Sequence, residues 1–125
     1  DNKPNGGKWT YDELNREKYP KNKNTPKIDF PKKTIYHKEA IDYVEKYFKS
    51  NNGELNADVI YPTNFETAEN WFNQFLAIRF DEFGPYEDAL LKEKSVINHS
   101  ILSPLMNSGL ISPKFIVFYY CFISS

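Results

Sequence analysis

The sequence predicts an all-α fold of four or five helices behind a long extended arm. Three observations carry that expectation. Apolar residues recur at helical spacing in two stretches, 38–50 and 63–80. Two Ser-Pro pairs, Ser103-Pro104 and Ser112-Pro113, flank Gly109, the pattern of two helix starts with a stop between them. Residues 1–31 are rich in Lys, Asn and Pro and hold no sustained period, as a linker or surface arm does.

Within that arm, Gly6-Gly7-Lys8-Trp9 sets a bulky indole in polar surroundings, and Trp9 is expected to dock on a neighbouring surface. Tyr11 to Arg16 is expected to form one short helical turn. The first full helix is predicted over Lys38–Ser50. Ile41, Val44 and Phe48 share one face, Glu45 and Lys49 pair at i, i+4, and Asn51-Asn52-Gly53 ends it. His37 precedes this helix with no evident partner.

A second helix is predicted to start at Thr63 or Asn64, since Thr63 and Glu66 have capping-box spacing. Phe65, Ala68, Phe72, Phe75, Leu76 and Phe80 make a thick stripe that Trp71 and Ile78 widen, so this helix should pack on more than one side. Arg79 lies near its end, where it either reaches a bound ligand or nucleic acid or pairs with Asp81 or Glu82. Phe83-Gly84-Pro85-Tyr86 breaks the chain, and a short helix is expected over Glu87–Lys92.

The stretch from Asn98 to Lys114 organises the rest. Ser103 reads as an N-cap, Pro104 as a first helical residue, Gly109 as a left-handed stop and Ser112-Pro113 as a second start. His99 and Ser100 stand just upstream, so hydroxyls and a helix start converge. Two readings follow from the residues alone: a phosphate-binding corner, or a helical hairpin with well-made caps. The tail from Phe115 to Ser125 is β-prone and largely unpatterned; it either begins a further helix that is cut short or comes from a change of reading frame, and such an apolar tail, if exposed, favours aggregation.

The totals bound the function. The chain has 125 residues, a net charge of −1 and 17% aromatic content, which fits one small packed domain without a global pull toward polyanions. Charge is uneven: residues 1–50 carry +4 and residues 51–125 carry −5. A basic arm of this kind usually marks a solvated face or tether. One cysteine, Cys121, excludes a disulfide framework within the chain. The polar N-terminus shows no secretory signal, and the apolar run 115–123 is too short to span a bilayer, so the expected location is cytoplasmic. The first residue is Asp, not Met, as in an internal fragment or processed product.

His99-Ser100-Ile101-Leu102-Ser103-Pro104, followed by Asn107, Gly109 and Ser112-Pro113, resembles the flavin-binding segment of the cryptochrome/photolyase family. Phe83-Gly84-Pro85-Tyr86-Glu87-Asp88-Ala89-Leu90 and the early Gly6-Gly7-Lys8-Trp9-Thr10-Tyr11-Asp12 with Asn15-Arg16 narrow the likeness to the deoxyribodipyrimidine photolyase-related branch, the bacterial iron–sulfur members. The resemblance covers Pro4 to about Lys114 and corresponds to the middle of a full family member. It implies that residues 1–36 are an interdomain arm and that 37–125 are the leading part of a helical FAD-binding domain. It also implies that Ser100 and Ser103, with amides near Ile101 and Leu102, hold the FAD pyrophosphate. His99 stands where many relatives have Thr, and Tyr86 faces the phosphate side of the flavin. No catalytic residue is implied in this stretch, because the light chemistry belongs to the flavin. The implied function is light-driven repair of UV-damaged DNA, with pyrimidine photoproducts split by an electron from photoexcited flavin and little activity for this stretch alone. An iron–sulfur cluster is possible in the longer protein, but its ligands are not found here. The alternatives are a cryptochrome-like blue-light photosensor and a small helical interaction module without flavin.

Overall fold

The computed structural model describes residues 3–4, 6–10, 12–53, 55 and 60–123. Tyr11 and the last two residues of the tail lie outside the described residues. The described chain is all-α, with helices α1 (Ile35–Phe48), α2 (Phe65–Ile78), α3 (Ser103–Asn107) and α4 (Pro113–Ile123). Two single 3-10 turns, Asp12–Asn15 and Phe80–Glu82, accompany them. There is no β-strand among the described residues; Leu91 and Lys94 make one isolated bridge. The chain forms two compact units, residues 1–28 with 72–101, and residues 29–71 with 102–125.

In the first unit the aromatic rings of the C-terminal half of α2 set the packing. Phe75 makes edge contacts with Phe80 at 5.7 Å and Phe83 at 5.4 Å, the geometry that ring quadrupoles favour. Tyr86, Ala89 and Ile97 form a buried cluster, with Tyr19 and Leu91 packed against it. The arm is tied down here. Glu17 N donates to Pro85 O at 3.1 Å, and Asp88 N donates to Asn15 O at 3.4 Å. Arg16 reaches both Asp12 and Asp88. These ties explain why the helix expected over Glu87–Lys92 does not form. Residues 83–88 are turns closed by Glu87 N to Gly84 O and Ala89 N to Tyr86 O, and the Asp88 amide serves the arm instead of a helix ladder. Trp9, expected to dock, is 82% exposed.

In the second unit, α1 starts three residues earlier than its apolar period suggests. Thr34 is the N-cap, and its amide donates to His37 Nδ1 at 3.0 Å, so His37 has a structural partner after all. Ile41 and Val44 are half-buried, and no residue of α1 is fully buried. At the head of α2, Asn64, one of the two expected starts, is the cap: its Oδ1 accepts the Thr67 amide at 2.9 Å and the Thr67 hydroxyl at 2.9 Å, and the Thr63–Glu66 box does not form the start. Ala68 and Trp71 are buried, and the Phe30 ring lies 6.0 Å from Trp71.

α3 ends in a Schellman turn. Gly109 N donates to Met106 O and Leu110 N to Leu105 O, with Gly109 at φ 76° as the stop requires. Ser112 Oγ then accepts the Phe115 amide at 3.1 Å and Pro113 opens α4. The tail therefore continues as helix. Ser103 departs from expectation: it is the first residue of α3, not its cap. Leu102 is the N-cap, already in the αR region, with its carbonyl accepting from Met106 N at 2.9 Å and no side-chain cap bond. No described helix is long and apolar enough to cross a membrane.

Candidate functional site

Tyr86 follows the Gly84-Pro85 break and is 8% exposed. Its ring lies 4.9 Å from Tyr19, and Lys23 Nζ sits 4.9 Å from its centroid. Lys23 also pairs with Glu82. That hydrogen bond is the main reason the Lys23 ammonium is held above its ordinary pKa. Burial raises the Tyr19 phenol, and the nearby Lys23 charge opposes this. Tyr86 is thus gripped on one side by a ring and on another by a cation, both from the arm.

Tyr86 packs with Ile97, and the Ile97 amide donates to His99 Nδ1 at 3.4 Å. A neutral His99 then carries its proton on Nε2, which leaves that nitrogen as a donor. His99 and Ser100 are half-buried. Ile101 adopts φ 54°, the one positive value among the described non-glycine residues. A β-branched side chain in that region is a true outlier, of a kind that gathers at ligand clamps and switch regions.

Asn98 is fully buried, and neither Nδ2 nor Oδ1 has a hydrogen-bond partner among the described residues. An amide left unmet in that state costs about 1–3 kcal/mol, so Asn98 is a polar feature in need of an explanation. Arg79 is also fully buried, with its guanidinium 5.5 Å from the Phe75 ring centroid. Desolvation lowers its pKa to about 10.

Of the six residues expected to bind cofactor, Tyr86, His99, Ser100 and Ile101 belong to the first unit, and Leu102 and Ser103 to the second. Ile97 anchors both Tyr86 and His99. Leu102 is buried, while Ser103 is exposed. The first unit offers neutral donors and a strained turn beside a buried amide, a set suited to holding a polar ligand. No group of three His, Cys, Asp or Glu is placed to hold a metal among the described residues. Cys121 is exposed. Sequence reasoning overlooks Tyr19, Lys23 and Asn98. The first two sit in a Lys/Pro-rich arm without periodicity, and an Asn beside a His-Ser pair carries no spacing signal of its own.

Residues 1–59 match the family model described as deoxyribodipyrimidine photo-lyase-related protein. The chain is also 33% identical over 113 residues to a protein named (6-4) photolyase from Agrobacterium fabrum (strain C58 / ATCC 33970). That similarity covers 86% of this chain, enough to include residues 86–103 wherever it begins, and 21% of the relative. The chain thus spans about a fifth of the length of the curated relative it matches. Two overlapping similarities, one to the arm and α1 and one over most of the chain, point the same way: the chain is a photolyase-related one.

Proposed function

We propose that this chain is part of the FAD-holding region of a light-dependent DNA repair protein. Residues 1–36 serve as the arm between domains, and 37–125 form the leading part of the helical flavin-binding domain. When bound, FAD supplies the light-driven electron transfer that splits a UV pyrimidine photoproduct. The residues of this chain bind and orient. Ser100 and Ser103 hydroxyls, with the amides near Ile101 and Leu102, hold the pyrophosphate; His99 Nε2–H and the Tyr86 phenol each add a neutral hydrogen bond. An iron–sulfur cluster, which the family likeness allows, would draw its ligands from outside these residues. This stretch alone is expected to position the cofactor and to repair little or nothing.

The similarity to a protein named (6-4) photolyase, which takes in residues 86–103, carries this reading. The left-handed Ile101 and the orphaned amide of the buried Asn98 support it, because both sit beside the residues assigned to the phosphates. The test is FAD titration followed by flavin fluorescence, on the wild type and on the S100A/S103A pair. The pair is expected to bind about a hundredfold or more weakly, the loss of two hydrogen bonds to a charged group. Equal affinity in the two proteins would remove the site assignment, and no uptake by the wild type would remove the flavin reading for this stretch. Repair of UV-damaged oligonucleotide under blue light against darkness, measured with the longer protein, separates repair enzyme from photosensor.

A further inference from the structure

The leading arm holds Tyr86 more closely than a linker needs to. Tyr19 stacks against its ring at 4.9 Å with planes tilted by 54°, and Tyr19 OH donates to Asn24 O at 3.1 Å, which fixes the position of Tyr19 itself. The Lys23 ammonium lies over the Tyr86 ring and is held there by Glu82, the last residue of the 3-10 turn that precedes the loop. Lys23 N donates to Pro20 O at 3.1 Å, closing a turn that brings Tyr19 and Lys23 to the same ring. Away from this cluster the arm is tied by Arg16 to Asp12 and Asp88, all well exposed. One strap therefore carries two kinds of fastening: an exposed ion-pair set at Arg16, and a part-buried grip at Tyr19 and Lys23.

We infer that Lys23 and Tyr19 are positioning residues that set the orientation of Tyr86, and through it the affinity of the flavin site. The consequence for flavin rests on the cofactor reading above; the orientation of Tyr86 does not. Physically, a cation over an aromatic face favours one ring attitude, and the Tyr19 edge blocks the alternatives. A phenol kept in one rotamer presents its hydroxyl without a further ordering cost when a ligand arrives.

The experiment compares the wild type with K23M, K23R and R16Q, with NMR of the Tyr86 ring, hydrogen exchange at the Ala89 amide and FAD titration. The Ala89 amide is bonded to Tyr86 O, so it reports on the same turn. K23M is expected to shift the Tyr86 ring signals, to speed Ala89 exchange by about tenfold and to weaken FAD binding by about tenfold. K23R is expected to restore all three, since it keeps the cation. R16Q loosens the strap elsewhere and is expected to leave the ring signals and FAD affinity unchanged. Unmoved Tyr86 signals in K23M would overturn the inference, as would an R16Q effect equal to that of K23M, which would indicate general loosening. Moved signals with unchanged FAD affinity would overturn its functional half. If the wild type takes up no FAD, the cofactor reading fails, and the ring and exchange data still decide whether Lys23 orients Tyr86.

Discussion

At Ser112 the hydroxyl accepts the Phe115 amide and Pro113 takes the first helical position, while at Ser103 the same dipeptide sits one step further into its helix. There Leu102 is the cap, Pro104 is the second helical residue, and the serine is exposed. The difference lies upstream. Ile101 turns through φ 54°, so the chain enters the αR region at Leu102, before the serine is reached. Proline is tolerated at either position because the first amides of a helix have no intrahelical acceptor. A Ser-Pro pair therefore announces a helix start to within a residue, and the preceding backbone decides whether its hydroxyl caps or stays out of the capping role.

The strongest way to break the comparison is at the residue that creates it. Ile101→Pro fixes φ near −65° and cannot follow the left-handed turn. It is expected to destabilise the chain by about 3 kcal/mol or more, read as a lowered urea midpoint. An unchanged midpoint would mean that the turn at Ile101 is not what separates the two starts. The next largest effect belongs to the stop they share. A Cβ on Gly109 meets nothing within 4 Å, so Gly109→Ala isolates the backbone term of φ 76°. The expected cost is about 1–2 kcal/mol in the same denaturation assay, and a cost near zero would indicate that the Schellman turn relaxes freely.

These positions also mark what the sequence reveals and what it conceals. The stripe of α2, the Gly109 stop and the Ser112 cap are legible because each depends on a residue and its neighbours within one turn. The start of α1 is concealed because a histidine, not a Glu or Gln, completes the box at Thr34. The missing helix after Tyr86 is concealed because its Asp88 amide is engaged by Asn15, 73 positions away in sequence. The candidate site divides in the same way. His99, Ser100 and Ser103 are visible as a motif, while the grip of Tyr19 and Lys23 on Tyr86 and the burial of Asn98 arise only once distant segments meet. Ile101 is invisible for a different reason: β-branched residues avoid positive φ, so no propensity argument would place one there.

Sharpening the comparison requires the capping serine first. Ser112→Ala removes the acceptor of the Phe115 amide and is expected to cost about 1 kcal/mol, the usual size for a lost N-cap. It should leave FAD affinity alone, because that hydroxyl is already committed within the helix. A loss of affinity in S112A without a matching loss of stability would place Ser112 in the ligand site and dissolve the contrast.

Ser103→Ala is the mirror experiment and carries the smallest effect on the fold. Ser103 is exposed and makes no cap bond, so stability is expected to change by no more than about 0.5 kcal/mol, as for a surface substitution. FAD affinity, on the proposed reading, falls about fivefold to tenfold with the loss of one hydroxyl from the pyrophosphate. The two serines then separate cleanly: one variant lowers the urea midpoint and keeps the ligand, the other keeps the midpoint and loses ligand. If S103A instead behaves like S112A, the hydroxyl is serving the helix in solution and the strained turn at Ile101 does not release it. If S103A changes neither quantity, Ser103 is a surface residue, and the phosphate contact must be sought among Ser100, His99 and the buried amide of Asn98.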